Sequence, residues 1–107
     1  MRRGSLYWIN LGSSIPPEFG KTRPGLILSN SVHNSALETV VVLPLSSQPP
    51  EIWPLRLKLG MPKGKTSFAV VPGIRQVSKA RLQESIGFVS RDELDRITEA
   101  VSLYLGE

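Results

Sequence analysis

The chain has 107 residues, which suits one domain (1–107), and its formal net charge is +4. It contains no cysteine and one histidine, His33, so disulfides, thiolate chemistry and paired-histidine sites are excluded within it. Residues 1–83 carry eleven Lys or Arg and three acids, whereas residues 84–107 carry two Lys or Arg and six acids. The first part of the chain therefore favours a polyanionic partner.

No segment of the sequence predicts a membrane span or an export signal. No run approaches the roughly 20 apolar residues that a membrane-spanning helix requires. After Arg2 and Arg3, residues 4–11 are too short and too polar for the core of a signal peptide. We therefore expect a cytoplasmic protein without a membrane partner.

Three segments in the first half of the chain are rich in aromatic, branched and aliphatic residues and predict strands. They are residues 6–11, 26–28 and 39–45. The last is the most continuous apolar run, so we expect it at the centre of the sheet, with Pro44 near its end. Residues 30–38 are polar and predict a turn.

A long loop precedes the second strand. Residues 12–22 have no periodic pattern, and loops of this length are often functional. Pro24 biases Arg23 toward an extended conformation, so the arginine is expected to leave the chain where the loop meets the sheet. There it is either a phosphate-binding group or an ordinary surface cation.

The second half predicts further short strands and then a helix. Residues 55–59, 68–71, 74–77 and 86–89 have strand patterns, and 78–82 predicts a short helical turn. Ser90 and Glu93 have the spacing of a capping box, and a helical stripe of apolar residues follows at 94, 97, 101, 104 and 105. This order predicts a mostly β fold, a small, strongly bent antiparallel barrel capped by a C-terminal helix.

Once the common catalytic and cofactor-binding motifs are excluded, arginine, serine and backbone donors remain as the groups that could bind a ligand or catalyse a reaction. The sequence has no P-loop, dinucleotide fingerprint, zinc-ligand cluster or nucleophile elbow, so we expect no cofactor and no metal. If strands two and three are antiparallel neighbours, Arg23 and Ser46 lie at the same edge of the sheet. An arginine fork beside a hydroxyl suits a phosphate, although Ser46 and Ser47 are equally typical of a strand-ending turn.

Five blocks of the chain, in order, resemble the MazF/PemK-like toxin endoribonucleases. They are RGSLYWINL at 3–11, GKTRP at 20–24, LPLSSQ at 43–48, IRQVSKARL at 74–82 with Ile86-Gly87, and EAVSLYLG at 99–106. The resemblance implies an SH3-like barrel and a homodimer that cuts single-stranded RNA (mRNA) without a metal. It also implies attack of a ribose 2′-hydroxyl on the adjacent phosphate, which leaves a 2′,3′-cyclic phosphate and a 5′-hydroxyl, and inhibition by a cognate antitoxin protein.

By position in these blocks, Arg23 corresponds to the family's catalytic arginine and Ser46 to its catalytic hydroxyl, usually a threonine. The other residues that the resemblance assigns to RNA binding are Lys21, Thr22, Ser47, Gln48, Arg75 and Arg81, of which the two arginines are open to a partly structural role. A guanidinium is hardly ever deprotonated, so we expect Arg23 to stabilise the transition state. The general base is then open, and His33 is the one side chain that normally titrates near neutrality.

The sequence departs from the family pattern at two places, and we expect these departures to affect the RNA-contacting surface and the target sequence more than the fold. Ser5 stands where an aspartate is common, and Pro72-Gly73 stands where polar residues often precede the Ile-Arg pair.

Two other functions fit the same fold. One is a non-catalytic, protein-binding toxin of the CcdB gyrase-poison type, against which the retained Arg23 and Ser46 argue. The other is a pure nucleic-acid-binding module, which needs exposed aromatic residues for stacking. Because Tyr7 and Trp8 are expected in the core, Phe19 and Trp53 are the candidates for that role.

Overall fold

The fold is built from seven strands, two α-helices and three short 3₁₀ turns, in a computed structural model that describes residues 1–106 apart from the side chain of Lys63. The strands are β1 Ser5–Asn10, β2 Thr22–Ile27, β3 Thr39–Ser46, β4 Arg56–Gly60, β5 Thr66–Val70, β6 Arg75–Ser78 and β7 Leu82–Phe88. The helices are α1 Ser31–Ala36 and α2 Arg91–Leu105, and the turns are Pro62–Gly64, Val71–Gly73 and Lys79–Arg81.

All strand pairs are antiparallel, in the order β4-β5-β3-β2-β1-β7, and β6 also pairs with β3. On the edge away from β2, β3 pairs with β6 over residues 39–42 and with β5 at residues 45–46. Pro44 lies in the gap between these two ladders, so its missing N–H group is not required on that edge. This change of partner bends the sheet strongly without closing it, and it confirms the predicted small antiparallel β fold with a C-terminal helix.

The core has two parts, one on each face of the sheet. The first packs against α2 and contains Leu6, Leu26, Leu43, Leu45, Leu57, Leu59, Ala69, Val71, Ile97 and Ala100. The second lies on the opposite face of β1, β2 and β3 and contains Ile9, Leu11, Ile27, Val40, Val42 and Val77. Alternation along β3 places Val40, Val42, Pro44 and Ser46 on one side of that strand. This side of β3 therefore leads from the second apolar cluster to the serine.

The predicted capping box is present, because the Ser90 side chain accepts from the Glu93 amide and the Glu93 carboxylate accepts from the Ser90 amide. The predicted apolar stripe of α2 is right at Ile97, which is fully buried, but wrong at its end. Tyr104 is exposed, and Leu105 is 64% exposed, because the last turn runs beyond the part of the helix that packs on the sheet.

The prediction of a mere turn at residues 30–38 is wrong, since Ser31–Ala36 is a helix. This helix is stabilised by hydrogen bonds of asparagine side chains rather than by apolar residues at helical spacing. The side chain of Asn30 accepts from the Val32 amide, and Asn34, which is 1% exposed, donates to the carbonyl oxygens of Ser29 and Met1 at 3.0 and 3.2 Å.

Trp8 was expected in the core and is instead 41% exposed. The β1–β7 ladder is irregular on both sides of Tyr7, and Trp8 has no partner in β7. Irregular pairing of this kind displaces a side chain from its expected surroundings.

Candidate active site

The predicted loop mouth at Arg23 is part of a strand in the structure. Arg23 lies opposite Ile9 and Pro24 lies opposite Trp8 in the β1–β2 ladder. The ladder between β2 and β3 begins only at Gly25, which lies opposite Pro44. The missing N–H of Pro24 therefore falls beyond that ladder, and Arg23 stands where β2 extends past it.

Arg23 and Ser46 lie at the same edge of the sheet, as expected from the sequence. Continuing the Gly25–Pro44 register by two residues brings Arg23 opposite Ser46. Facing residues of neighbouring strands point to the same side of a sheet, so both side chains leave it on one face. A long hydrogen bond of 3.5 Å from Arg23 Nη1 to the Leu45 carbonyl oxygen joins the two strands here.

The guanidinium of Arg23 is held on one face and at two of its N–H groups. Its Cζ lies 4.4 Å from the centre of the Phe19 ring, and its Nε donates to the Gly20 carbonyl oxygen at 3.3 Å. An arginine has five N–H groups, so three have no partner among the residues described. The side chain is thus oriented, half-buried and able to donate to a phosphate.

Ser46 is half-buried, and its Oγ accepts a hydrogen bond from the Gln48 backbone amide at 3.1 Å. Because the oxygen acts as an acceptor there, the hydroxyl proton is available to a second partner. Ser47 and Gln48 are exposed in the turn that follows β3. The Gln48 carbonyl oxygen accepts from Arg56 Nη2 at 2.5 Å.

The loop 12–22 is ordered by its own hydrogen bonds. The Lys21 amide donates to the Gly12 carbonyl oxygen at 2.7 Å, and the Leu11 amide donates to the Lys21 carbonyl oxygen at 2.8 Å. Lys21 adopts a left-handed conformation with φ 61° at this closure. Its side chain and that of Thr22 are exposed at the base of the loop, one strand away from β3.

A groove of about 650 Å³ adjoins this edge of the sheet. Its lining residues are Ser13, Ser14, Pro17, Glu18, Phe19, Arg56, Val70, Pro72, Gly73, Ile74 and Arg75. Neither Arg23 nor Ser46 lines it, but Phe19 does, and that ring stacks on Arg23. The lining has two cations and one acid, so the groove suits an anionic ligand.

Arg56 is the residue of this groove that sequence reasoning missed. The alternation of residues 55–59 indicated cations on one face of a strand, but only the order β4-β5-β3 puts Arg56 on the same side of the sheet as Ser46, with β5 between them.

Arg75 and Arg81 occupy different surroundings. Arg75 lies opposite Val42 in the β3–β6 ladder and lines the groove. Arg81 Nη1 donates to the Asn10 carbonyl oxygen at 3.1 Å, beside Gly12, and so supports the base of the loop.

His33 is separated from the serine by the length of β3. It lies on α1 and lines a cavity of about 250 Å³ with Thr39, the first residue of β3, whereas Ser46 is its last. Seven residue steps of a strand span roughly 23 Å. His33 therefore does not adjoin the Arg23–Ser46 edge.

Within residues 1–106, no group of three or more His, Cys, Asp or Glu side chains is arranged to hold a metal ion. Over the same part of the chain, no helix has the length and apolar character to cross a membrane.

Comparison with known proteins gives a consistent set of similarities. Residues 2–105 match the family model described as PemK-like, MazF-like toxin of type II toxin–antitoxin system. The chain is 27% identical to Endoribonuclease MazF9 of Mycobacterium tuberculosis over 113 residues, covering 98% of this chain and 96% of that protein. It is 24% identical to Endoribonuclease EndoA of Bacillus subtilis, covering 98% of this chain and 94% of that protein.

Solved structures share the fold. MazF from Deinococcus radiodurans superposes with a TM-score of 0.86 at 22% identity, covering 100% of this chain and 97% of that one. An endoribonuclease in complex with its cognate antitoxin, from a mycobacterial species, gives a TM-score of 0.81 at 25% identity, covering 100% and 98%.

Proposed function

Because the chain belongs to the PemK-like, MazF-like toxins of type II toxin–antitoxin systems, it is a toxin endoribonuclease of such a pair, and we propose that it cuts single-stranded RNA, including mRNA, at specific short sequences. The observation that carries this proposal is the placement of Arg23 and Ser46 on one face at the shared edge of β2 and β3. Both residues lie in sequence blocks that resemble the family.

The proposed reaction is an internal transesterification. The ribose 2′-oxygen forms a bond to the adjacent phosphorus, and the bond from phosphorus to the 5′-oxygen breaks. One proton leaves the 2′-hydroxyl and one reaches the departing 5′-oxygen, which gives a 2′,3′-cyclic phosphate and a 5′-hydroxyl. DNA lacks the attacking hydroxyl and is not a substrate.

In this reaction Arg23 stays protonated and donates its remaining N–H groups to the phosphate oxygens as charge builds on them. The hydroxyl of Ser46 donates to the same phosphate, because the Gln48 amide already occupies its oxygen as an acceptor. These roles use no metal, so cleavage is expected to continue in EDTA. The position of His33 on α1 argues against a direct role for it as the base.

Residues around this edge are assigned to RNA binding. They are Lys21, Thr22, Ser47 and Gln48, which are exposed, and Arg75, which is half-buried, with Arg81 acting through the base of the loop. The charge of residues 1–83 supports attraction of a polyanion, and an acidic antitoxin segment has the same property.

We also propose that the chain forms a homodimer and binds a cognate antitoxin. The support for the antitoxin is that solved structures include a complex of MazE and MazF from Deinococcus radiodurans and an endoribonuclease with its cognate antitoxin from a mycobacterial species. The arrangement of Arg23 and Ser46 favours a nuclease over a non-catalytic toxin of the CcdB type that shares the fold.

The decisive experiment is incubation of the purified protein with a library of single-stranded RNA in EDTA, followed by analysis of the ends. We expect 2′,3′-cyclic phosphate and 5′-hydroxyl termini, and no cut where the 2′-hydroxyl at the scissile position is replaced by hydrogen. RNA that stays intact across the library, with or without divalent cations, refutes the nuclease proposal.

A further inference from the structure

Arg56 joins the groove to the residue proposed as the catalytic hydroxyl. It is the first residue of β4, it is half-buried, and its side chain lines the groove together with Arg75. Its Nη2 donates to the Gln48 carbonyl oxygen at 2.5 Å. The arginine therefore contacts both the groove and the turn that follows β3.

Gln48 forms hydrogen bonds to both Arg56 and Ser46. Its carbonyl oxygen accepts from Arg56, and its backbone amide donates to Ser46 Oγ at 3.1 Å. The turn is short, so fixing the carbonyl of Gln48 restrains the amide of the same residue. The direction in which the Ser46 hydroxyl points thus depends on Arg56 through one residue.

The strand register places both side chains on the same face of the sheet. Arg56 lies opposite Val70 in the β4–β5 ladder, and Ser46 lies opposite Phe68 in the β3–β5 ladder. Phe68 and Val70 are two residues apart on β5, and residues at that spacing point to the same side. Arg56 and Ser46 therefore face the same space.

The charge of Arg56 is not neutralised by an acid within the described part of the chain. The two ion pairs found there join Arg91 to Asp95 and Arg96 to Glu51. One N–H group of Arg56 is used by Gln48, and the guanidinium has five. Four N–H groups of Arg56 therefore remain for a ligand in the groove that this side chain lines.

We infer that Arg56 is a positioning residue for Ser46 and a binding residue for an RNA phosphate next to the scissile one. The inference rests on the proposed nuclease function. Arginine suits both tasks because its planar fork donates in two directions at once, whereas lysine supplies only a point charge.

The test uses the variants Arg56→Ala and Arg56→Lys, with Arg91→Ala as a control. Arg91 is exposed on α2, which packs on the other face of the sheet, so its removal changes the net charge equally without touching the groove. Binding of a 2′-O-methyl RNA, which cannot be cut, is measured over a series of salt concentrations. Single-turnover cleavage of unmodified RNA is measured at saturating protein.

We expect Arg56→Ala to reduce the slope of log affinity against log salt by about 0.7, the value for one phosphate contact on a single strand. We expect it to slow cleavage by about 10- to 100-fold, the scale of a small misplacement of a reacting group. Arg56→Lys should restore the slope but not the rate, and Arg91→Ala should retain both.

Wild-type slope and rate in Arg56→Ala refute the inference, and so does full recovery of the rate in Arg56→Lys, because a point charge is then sufficient. A lowered rate accompanied by unfolding of both Arg56 variants in urea at the assay temperature assigns Arg56 to stability alone and also refutes it. If the wild-type protein cuts no RNA, the proposed function fails, while the salt series still tests the phosphate contact separately.

Discussion

Replacement of Arg23 by alanine tests the proposed chemistry most directly. The change removes the guanidinium whose three unpartnered N–H groups are assigned to the phosphate. Loss of one preorganised donor group in an active site typically costs about 100- to 1,000-fold in rate, or about 2.7–4 kcal/mol of transition-state stabilisation. A fall of that size in the single-turnover rate is the expected result.

The same change costs much less in stability. It removes two long hydrogen bonds, to Gly20 and Leu45, and the stacking of the guanidinium on Phe19. Each such contact contributes about 0.5–1 kcal/mol, so the free energy of unfolding should fall by about 1.5–3 kcal/mol. A typical domain has about 5–15 kcal/mol, so the variant should stay folded and the two effects can be separated.

The assay is single-turnover cleavage of end-labelled RNA in EDTA, with urea unfolding measured on the same preparations. Arg2→Ala is a matched control, because Arg2 is exposed and stacks on Phe88 at 4.8 Å in the same kind of contact. Arg23→Lys should give an intermediate rate, since it keeps the charge and loses the fork. A folded Arg23→Ala that cleaves at the wild-type rate refutes the reasoning, and an unfolded one assigns Arg23 to structure.

Substitutions at three further positions have distinct expected outcomes. Ser46→Thr should keep activity because the hydroxyl is retained, whereas Ser46→Ala should lower the single-turnover rate by about 10-fold or more; equal rates would contradict the role of the hydroxyl. His33→Gln should leave the rate and its pH profile unchanged, and a displaced profile would return the general-base role to this residue. Gly73→Ala should lower the free energy of unfolding in urea by about 1–3 kcal/mol, because a Cβ there would lie 2.5 Å from Pro44 Cγ; an unchanged urea midpoint would show that Pro44 can yield.

The sequence predicted the parts of the fold that local patterns determine. Ser90 and Glu93 signal the start of α2 because a capping box involves residues three apart. The strand at 39–45 was visible because buried central strands form continuous apolar runs. By contrast, α1 depends on Asn34 reaching the Met1 and Ser29 carbonyl oxygens, and the contact with Met1, 33 residues away, has no local signature.

The part of the candidate site that two successive strands bring together could be predicted from the sequence. Arg23 and Ser46 meet because β2 and β3 are antiparallel neighbours, which the sequence suggested. Arg56 was not predictable in the same way, since β4 reaches β3 only through β5, which comes later in the chain. The exposure of Trp8 also depends on irregular pairing with β7, nearly 80 residues away in sequence.

The β1–β2 loop divides into a part that can vary and a part that cannot. Residues 15–17 make the exposed tip, whereas Phe19 and Gly20 hold Arg23. Gly20 has no room for a side chain, because a Cβ there would lie 2.8 Å from the backbone carbonyl oxygen of Gly12. Insertions and substitutions at the tip can therefore accumulate without moving the arginine. In exchanges of loops between related toxins, the downstream junction belongs before Phe19, so that the recipient keeps its own support for the arginine while the tip is replaced.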